Sequence, residues 1–301
     1  SMMVAPVLAQ TKSHLCNLFK INGSTYPATS ITLKDNATQL AIEDKIIANI
    51  PTQHPQDEIP ITLDGKAIYC VAGTLTADLV KEAASTGQFI IYGSINHNDR
   101  NYIQSYTNGA KSIKFINIDG EQVTSLQQIL YESEASSVTF ENCNFSKVWT
   151  LLNAFSDMSN LTSFSFKGMG LTNKLTELRY MFFRCKKLES VDFCNCDFSS
   201  VNNLYSMFSN CSALKSIDFS GCNLTSVSST GNMFNSCSAL ESIDFSNCDF
   251  SNVTTKQNYM FAGCKALKEI KAIGCNEATI DFLKARLDDA GLKDQVTLTV
   301  K

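Results

Sequence analysis

A short alternation of apolar and polar residues recurs along the second half of the chain. Ile217 and Phe219 flank Asp218, and Ser216 and Ser220 stand on either side of this group. This order predicts a short strand with one buried face, because successive side chains of a strand point to opposite sides. The pattern returns at a nearly constant interval, aligned on five leucines: Leu161, Leu188, Leu214, Leu240 and Leu267.

Each copy has apolar residues at fixed distances from its leucine. The copy that begins at Leu188 reads Leu-x-x-Val-x-Phe-x-x-Cys-x-Phe, which is the leucine-rich-repeat pattern with cysteine in a slot that accepts asparagine or cysteine. A second motif, Met-Phe-x-x-Cys, accompanies each clear copy and predicts a helical turn or short helix. A single unit cannot bury its apolar face, whereas stacked units bury a continuous core.

The repeat therefore predicts an α/β solenoid, a leucine-rich-repeat superhelix with one curved parallel β-sheet and short helices or turns on its convex side. We expect the solenoid over residues 73–301, with the clear repeats at about 135–275. A C-terminal cap is expected at 276–301, where Asn276 can begin a helix and Gly291 can end it. Val296 lies one repeat interval after Ile270, as a closing strand would. Strands are expected near the following residues: Phe115, Val138, Phe164, Val191, Ile217, Ile243, Ile270 and Leu298.

Residues 1–72 do not show the repeat. Two runs with strand character flank Asp64 and Gly65, and an Asp-Gly pair between two strands favours a hairpin. We interpret this segment as a small β-rich N-terminal region or cap. The segment Ala77–Ser85 is predicted to be a helix.

Composition narrows the classes of function. The chain has 301 residues and a formal net charge of −4, and it lacks the basic clusters of a nucleic-acid-binding protein. No run of about 18 apolar residues occurs, so no transmembrane segment is predicted. The sequence also lacks a phosphate-binding loop, a dinucleotide fingerprint and a Gly-x-Ser-x-Gly motif. We therefore expect a protein that is not an enzyme and uses no cofactor; an active site within residues 1–72 is the weakest alternative.

The cysteines repeat with the strands. Ten of the twelve lie at or after Cys143. Parallel columns of side chains do not converge as the four ligands of a zinc ion must, so the pattern favours buried structural thiols over disulfides or a metal site. Cys196, Cys222 and Cys248 are predicted to be buried and reduced, and Cys194 to be the most reactive thiol of the repeats. The single tryptophan, Trp149, is predicted to line the core or a groove.

The outward slot of the predicted strands is acidic. Asp192, Asp218 and Asp244 would lie about 4.8 Å apart on neighbouring strands, and adjacent like charges are unfavourable. This column is either a solvated face or a face that binds a cation or a basic partner surface. No catalytic or metal-binding residue is predicted. The candidate ligand-binding residues on the concave face are Glu141, Ser165, Ser190, Asp192, Ser216, Asp218, Ser220, Ser242, Asp244 and Ser246.

Two copies, Met207–Val227 and Met233–Val253, carry the motif Met-Phe-x-x-Cys-x-x-Leu-x-x-Ile-Asp-Phe-Ser. This motif resembles the BspA-like leucine-rich repeats of bacterial surface proteins, and more narrowly the roughly 26-residue surface-protein repeat first noted in mycoplasmas. Looser copies extend the resemblance over about 150–275. The resemblance implies a secreted or cell-surface protein, without its export signal in this chain, that mediates adhesion by binding a host or neighbouring-cell protein. The alternative is a carbohydrate- or peptide-binding protein that uses the Ser/Asp face.

Overall fold

The computed structural model describes residues 77–301, apart from residues 86 and 255–258, and only the strand backbones within residues 1–76. The chain forms two compact units. The first contains residues 1–122 and 139–144, and the second contains residues 123–138 and 145–301. The domain boundary expected near residue 73 stays a prediction.

The first unit begins with short antiparallel pairs of strands. Strands β2 and β3 form one pair, β4 to β6 form a three-stranded sheet, and β7 and β8 form another pair. The two strands expected on either side of residues 64–65 are confirmed, because β7 and β8 pair with Leu63 opposite Lys66. The bounds are β1 His14–Leu15, β2 Leu18–Ile21, β3 Ser24–Pro27, β4 Ile31–Lys34, β5 Gln39–Ile42, β6 Lys45–Asn49, β7 Glu58–Leu63 and β8 Lys66–Val71.

Two helices and longer strands complete this unit. Helix α1 ends at Ala84, one residue before the predicted end, and α2 is started by a capping box between Asn96 and Asp99. The sheet has the order β1-β9-β10-β11, in which β9 and β10 are parallel. The bounds are α1 Ala77–Ala84, β9 Gln88–Ser94, α2 His97–Tyr106, β10 Ser112–Asp119 and β11 Ser137–Glu141, the last of which crosses into residues of the second unit.

The second unit consists of a short strand and a series of turns that recur at a nearly constant interval. The strands pair in parallel with identical positions opposite one another, for example Ile217 opposite Ile243 and Ile243 opposite Ile270. All the predicted strand centres lie in strands. The bounds are β12 Ser163–Ser165, β13 Ser190–Asp192, β14 Ser216–Asp218, β15 Ser242–Asp244, β16 Glu269–Lys271 and β17 Thr297–Thr299.

The prediction of one continuous sheet is wrong. Strands β12 and β13 form a two-stranded sheet, and β14 to β17 form a separate four-stranded sheet, so Val191 does not share a hydrogen-bonded sheet with Ile217. The interruption follows an irregular turn. Cys194 and Asn195 both have positive φ after β13, whereas after β15 only Asn247 does.

The Met-Phe-x-x-Cys segments form turns. The sequence allowed either a helical turn or a short helix here, and the short helix does not occur. Tyr180 and Arg184, on either side of Met181 and Phe182, have φ of 58° and 59°, and a left-handed residue interrupts the helical hydrogen-bond pattern. The backbone amides donate to the next unit instead, as from Tyr180 to Tyr205 O at 3.0 Å. Isolated parallel bridges lead into these turns and join one unit to the next. We call the turns and these bridges together the turn row. The bridged residues, in order along the chain, are Ser125, Thr150, Glu177, Asn203 and Ser229.

Stacked phenylalanines fill the second unit. Phe182, Phe208 and Phe234 come from the turn row, and their rings lie 5.5 and 5.6 Å apart in nearly parallel planes. Phe219, from the strand side, is 1% exposed and packs against Phe245 at 5.5 Å. Identical positions therefore contact one another between units, which is compatible with a repeat or solenoid-like α/β fold.

The C-terminal segment ends the series. Helix α3, Glu277–Asp289, begins as predicted at Asn276, whose Oδ1 accepts from the Thr279 amide at 2.8 Å. Gly291 follows the helix with φ of 71°. The closing strand differs in register from the prediction, because Leu298 and not Val296 lies opposite Ile270.

Candidate functional site

The outward positions of the short strands form paired rows of polar side chains. Ser216 lies opposite Ser242, and Asp218 lies opposite Asp244, on β14 and β15. Ser190 and Asp192 occupy the same slots on β13 and pair with β12. Ser190, Asp192, Ser216 and Asp218 are exposed, whereas Ser242 and Asp244 are half-buried. We call this surface the strand face.

Each carboxylate of the strand face is held by the backbone that follows it. Oδ1 of Asp192 accepts from the Cys194 amide at 2.9 Å, and Oδ1 of Asp218 accepts from the Ser220 amide at 2.8 Å. Asp244 accepts in the same way from Ser246, at 2.9 Å. An aspartate that bonds to the amide two residues later stabilises a turn. These three side chains therefore have fixed orientations and end their strands in the same manner.

Asp192 differs from the other two carboxylates. The thiol and the amide of Cys194 both donate to it, which lowers the pKa of this carboxyl. Cys194 Sγ also lies 3.2 Å from Ser165 Oγ on the adjacent strand. Ser165 is therefore half-buried beside this thiol and is less open to a ligand than Ser190.

Two other predicted residues lie apart from the exposed group. Ser246 is buried, and its Oγ accepts from the Ile273 amide at 3.2 Å, so the expectation that Ser246 points outward is wrong. The Ser246 hydroxyl is thus bonded to the backbone of the next unit. Glu141 is exposed on β11 within the first unit.

The sequence analysis missed a lysine at the end of the acidic column. Lys271 on β16 lies opposite Asp244, and Glu269 lies opposite Ser242. Beside the strand face, Lys268 Nζ and Glu241 Oε2 are 3.9 Å apart. The signal was present, since carrying the alignment from Ile243 to Ile270 places Lys271 in the aspartate slot. The column is therefore acidic over β13 to β15 and changes sign at β16.

The thiols are structural in most units. Cys211 Sγ donates to Phe182 O at 3.1 Å, and Cys237 Sγ donates to Phe208 O at 3.0 Å. Burial raises the pKa of both thiols well above its ordinary value. The expected burial of Cys222 and Cys248 is confirmed, whereas Cys196 is only half-buried.

The ten cysteines from Cys143 onward are free thiols. Within residues 77–301, as far as they are described, no group of three or more His, Cys, Asp or Glu side chains is arranged to hold a metal ion. The thiol columns of the second unit therefore supply packing and hydrogen bonds to the fold.

Aromatic side chains lie on the turn row. Trp149 is 49% exposed, so it does not line the core, which was one of the two places predicted for it; the other, a groove, stays a prediction. Tyr180 packs edge-to-face against Tyr205 at 5.4 Å and against Phe183 at 5.3 Å, and all three rings are half-buried. Asn232 Nδ2 donates to the Tyr205 hydroxyl at 3.2 Å. Sequence reasoning had no signal for this cluster, because the repeat alignment does not constrain these positions.

A comparison with protein families finds one match. A family described as "Mycoplasma protein of unknown function, DUF285" matches residues 169–272, about a third of the chain. No curated protein matches the chain. In the described part of the structure, no helix has the length and apolar character needed to cross a membrane.

Proposed function

We propose that this chain is a leucine-rich-repeat solenoid of the BspA-like kind that binds a host or neighbouring-cell protein at a cell surface or after secretion, without catalysis. Support comes from two sides. The short strands and turns recur at a nearly constant interval with identical positions in contact. The family match is to a mycoplasma protein family and falls on the same repeats, at residues 169–272.

The strand face is the observation that carries this proposal. Ser216 and Asp218 are exposed and are paired in register with Ser242 and Asp244. A regular array of this kind presents hydrogen-bonding groups along the concave side of a solenoid, which repeat proteins use for extended binding surfaces. Because backbone amides hold the carboxylates in place, little side-chain entropy is lost when a partner binds.

The charge of the strand face defines the partner. Asp192, Asp218 and Asp244 repeat one carboxylate per unit, and Lys271 ends the series. A matching protein surface carries basic or hydrogen-bonding groups opposite β13 to β15 and avoids a cation opposite β16. Its association weakens as salt rises, because exposed charges are screened over about 8 Å at physiological ionic strength.

Surface plasmon resonance against two panels tests the proposal. One panel holds extracellular-matrix proteins and the other holds neutral glycans, and the full chain is compared with the triple variant Asp192→Asn, Asp218→Asn, Asp244→Asn. We expect at least one matrix protein to bind the parent and to bind the triple variant at least tenfold more weakly at low salt, which corresponds to about 1.4 kcal/mol.

The matched control is Lys293→Gln, which removes an exposed charge of the C-terminal segment and should leave binding unchanged. Equal binding of the parent and the triple variant at both low and high salt would contradict the role of the strand face. Binding to neutral glycans and to no matrix protein would contradict the proposed function itself.

A further inference from the structure

The repeat that contains β13 is bonded to the next repeat in the turn row but not through its strand. In the turn row, the Tyr180 amide donates to Tyr205 O at 3.0 Å, and the Phe182 amide donates to Met207 O at 2.9 Å. On the strand side, β13 and β14 do not pair, although β12 pairs with β13 and β14 pairs with β15. The junction between these two repeats is therefore held along one edge only.

The backbone groups beside the strands show the same interruption. Where β14 meets β15, the Glu241 amide donates to Lys215 O at 2.8 Å. The Phe219 amide donates there to Asp244 O, also at 2.8 Å. One repeat earlier the amides in these slots are those of Lys215 and Phe193, and within the described part of the chain neither has an acceptor. An amide without a partner in the protein is costly unless water reaches it, so these two amides indicate an opening between β13 and β14.

Burial changes at the same place. Val191 of β13 is half-buried, whereas Ile217 and Ile243, in its slot in the next two repeats, are 5% and 1% exposed. Cys196 is also half-buried, whereas Cys222, in the same slot one repeat later, is buried. Solvent therefore reaches two inward side chains beside the junction whose counterparts in the following repeats are enclosed.

Each strand at the junction is fixed to its other neighbour. The Phe166 amide donates to Asp192 O at 2.9 Å, and Cys194 Sγ lies 3.2 Å from Ser165 Oγ. Strand β13 and its turn are thus bonded to β12. Strand β14 is paired in register with β15. A movement at the junction would therefore carry β12 with β13 on one side and β15 with β14 on the other.

The core permits such a movement. Phe193 and Phe219 contact each other across the junction, with ring centroids 4.6 Å apart and planes inclined by 31°. Apolar contact is not directional, so these rings can shift against each other and still remain covered. In the turn row, Phe182 and Phe208 are stacked with their planes inclined by 14°, which keeps the other edge of the junction closed.

We propose that the junction between β13 and β14 is a hinge. The strand side opens and closes, while the hydrogen bonds of the turn row keep the two repeats together and form the hinge axis. A hinge of this kind needs only a few residues at the ends of elements to absorb the movement. It divides the strand face, because Asp192 moves with β12 and β13 whereas Asp218 moves with β14 and β15. The hinge is a property of the free chain and does not depend on what the strand face binds.

A fixed irregularity of the sheet is the alternative explanation. Both explanations leave the amides of Lys215 and Phe193 without an acceptor. Only a hinge, however, allows β13 and β14 to be drawn together without unfolding, and only then can the Lys215 amide gain protection. A cross-link across the junction therefore separates the two explanations.

An engineered disulfide supplies this cross-link. Ser190 and Ser216 are exposed and hold the same outward slot on β13 and β14. Paired strands lie about 4.8 Å apart, within the Cα separation of about 4.4–6.8 Å that a disulfide spans. The variant Ser190→Cys, Ser216→Cys is treated with oxidised glutathione, which is reduced to two thiols as the bond forms, and peptide mapping locates the bond. The matched control is Ser216→Cys, Ser242→Cys, which joins β14 to β15.

Hydrogen–deuterium exchange resolved to single amides gives the readout. In the parent, we expect Lys215 and Phe193 to exchange at least about 100-fold faster than Glu241 and Phe219, which occupy the same slots at the paired junction. The cross-link between β13 and β14 should slow exchange at Lys215 at least about tenfold. The control cross-link should leave Lys215 unchanged.

Three results would overturn the hinge. The first is exchange at Lys215 and Phe193 in the parent that is as slow as at Glu241 and Phe219. The second is failure of the cross-link to form between β13 and β14, which would mean that these strands do not approach each other. The third is unchanged exchange at Lys215 in the cross-linked protein, which would show a fixed irregularity.

Discussion

Cysteine in this repeat acts as a small hydrogen-bond donor inside an apolar column. Cys185 and Cys264 donate to phenylalanine carbonyls about one unit earlier, at 3.0 and 3.1 Å. A buried carbonyl without a donor would cost about 1–3 kcal/mol, and a thiol supplies the donor with little polar bulk. The spacing of the cysteines predicted their burial, but the carbonyl partners became visible only in the structure.

Alkaline pH is expected to destabilise the fold through these thiols. Burial raises the pKa of Cys185 and Cys264 from 9.0 to about 12. As pH rises above 9.0, these thiols ionise in the unfolded chain before they ionise in the folded chain. The contribution of the neutral thiols to the free energy of unfolding is therefore complete below pH 9.0. Between pH 9.0 and about 12 it is lost by roughly 1.4 kcal/mol per pH unit for each thiol. Across this pH range, the urea midpoint of the double variant Cys185→Ala, Cys264→Ala should fall less steeply with pH than that of the parent. Parallel profiles of parent and variant would contradict this explanation.

Thiol labelling distinguishes exposed from buried columns. Cys194 is half-buried, whereas Cys222 is 7% exposed and burial raises its pKa to about 12. Because the thiolate is the reactive form, we expect a maleimide to modify Cys194 in the native protein well before Cys222. Mass spectrometry of the labelled peptides gives the order. Modification of Cys222 first would show that the strand side opens more readily than its packing indicates.

A glycine in the turn row tests the left-handed turns. Gly263 has φ of 75°, and an added Cβ would lie 3.2 Å from the Ser236 backbone. Gly291 has φ of 71° with no atom within 4 Å of an added Cβ. We expect Gly263→Ala to cost about 1–2 kcal/mol in unfolding free energy and Gly291→Ala to cost less, as measured by urea unfolding. If both variants lost the same unfolding free energy, the contact with Ser236 would not contribute to stability.

At the scale of the element, the period of the repeat and the identity of its residues were enough to predict the centres of strands β10 to β17. Of the two alternatives expected at Met-Phe-x-x-Cys, a helical turn or a short helix, the short helix was wrong, because that spacing fits a turn as well as a helix. Left-handed residues decide between the two. Tyr180, Arg184 and Ser206 do not signal positive φ in a sequence, whereas Asn210 and Asn232, in the corresponding turns of later units, do. The break between β13 and β14 was missed because Cys194, unlike its neighbour Asn195, gives no sequence signal of positive φ.

The packing of the strand side is tested by Phe219. This side chain is 1% exposed, and its ring lies 4.6 Å from Phe193 and 5.5 Å from Phe245. Phe219→Ala should cost about 3–5 kcal/mol, because it removes a large buried ring between two units. Phe183→Ala is the matched control and should cost less, since Phe183 is half-buried. An unchanged urea midpoint for Phe219→Ala would refute the assignment of inward and outward positions.

At the scale of the whole molecule, the sequence predicted the strand face better than the turn row. Asp218 and Asp244 lie where the alternation placed them, since register in a short strand follows from burial of one side. Lys271 follows from the repeat alignment once it is carried to Ile270, whereas the burial of Ser246 depends on its bond to the backbone of the next unit, which the repeat motif does not encode. The cluster of Tyr180, Phe183 and Tyr205 depended on positions that vary between units.

Hydrogen–deuterium exchange of the complex with a matrix protein selected by the binding panel tests the role of the strand face most directly. The account predicts slower exchange on binding in the peptides that contain Ser216–Ser220 and Ser242–Ser246, with the turn-row peptides of residues 176–184 and 203–210 unchanged. Protection confined to the turn row or to residues 1–72, with the strand face exchanging as in the unbound chain, would contradict it.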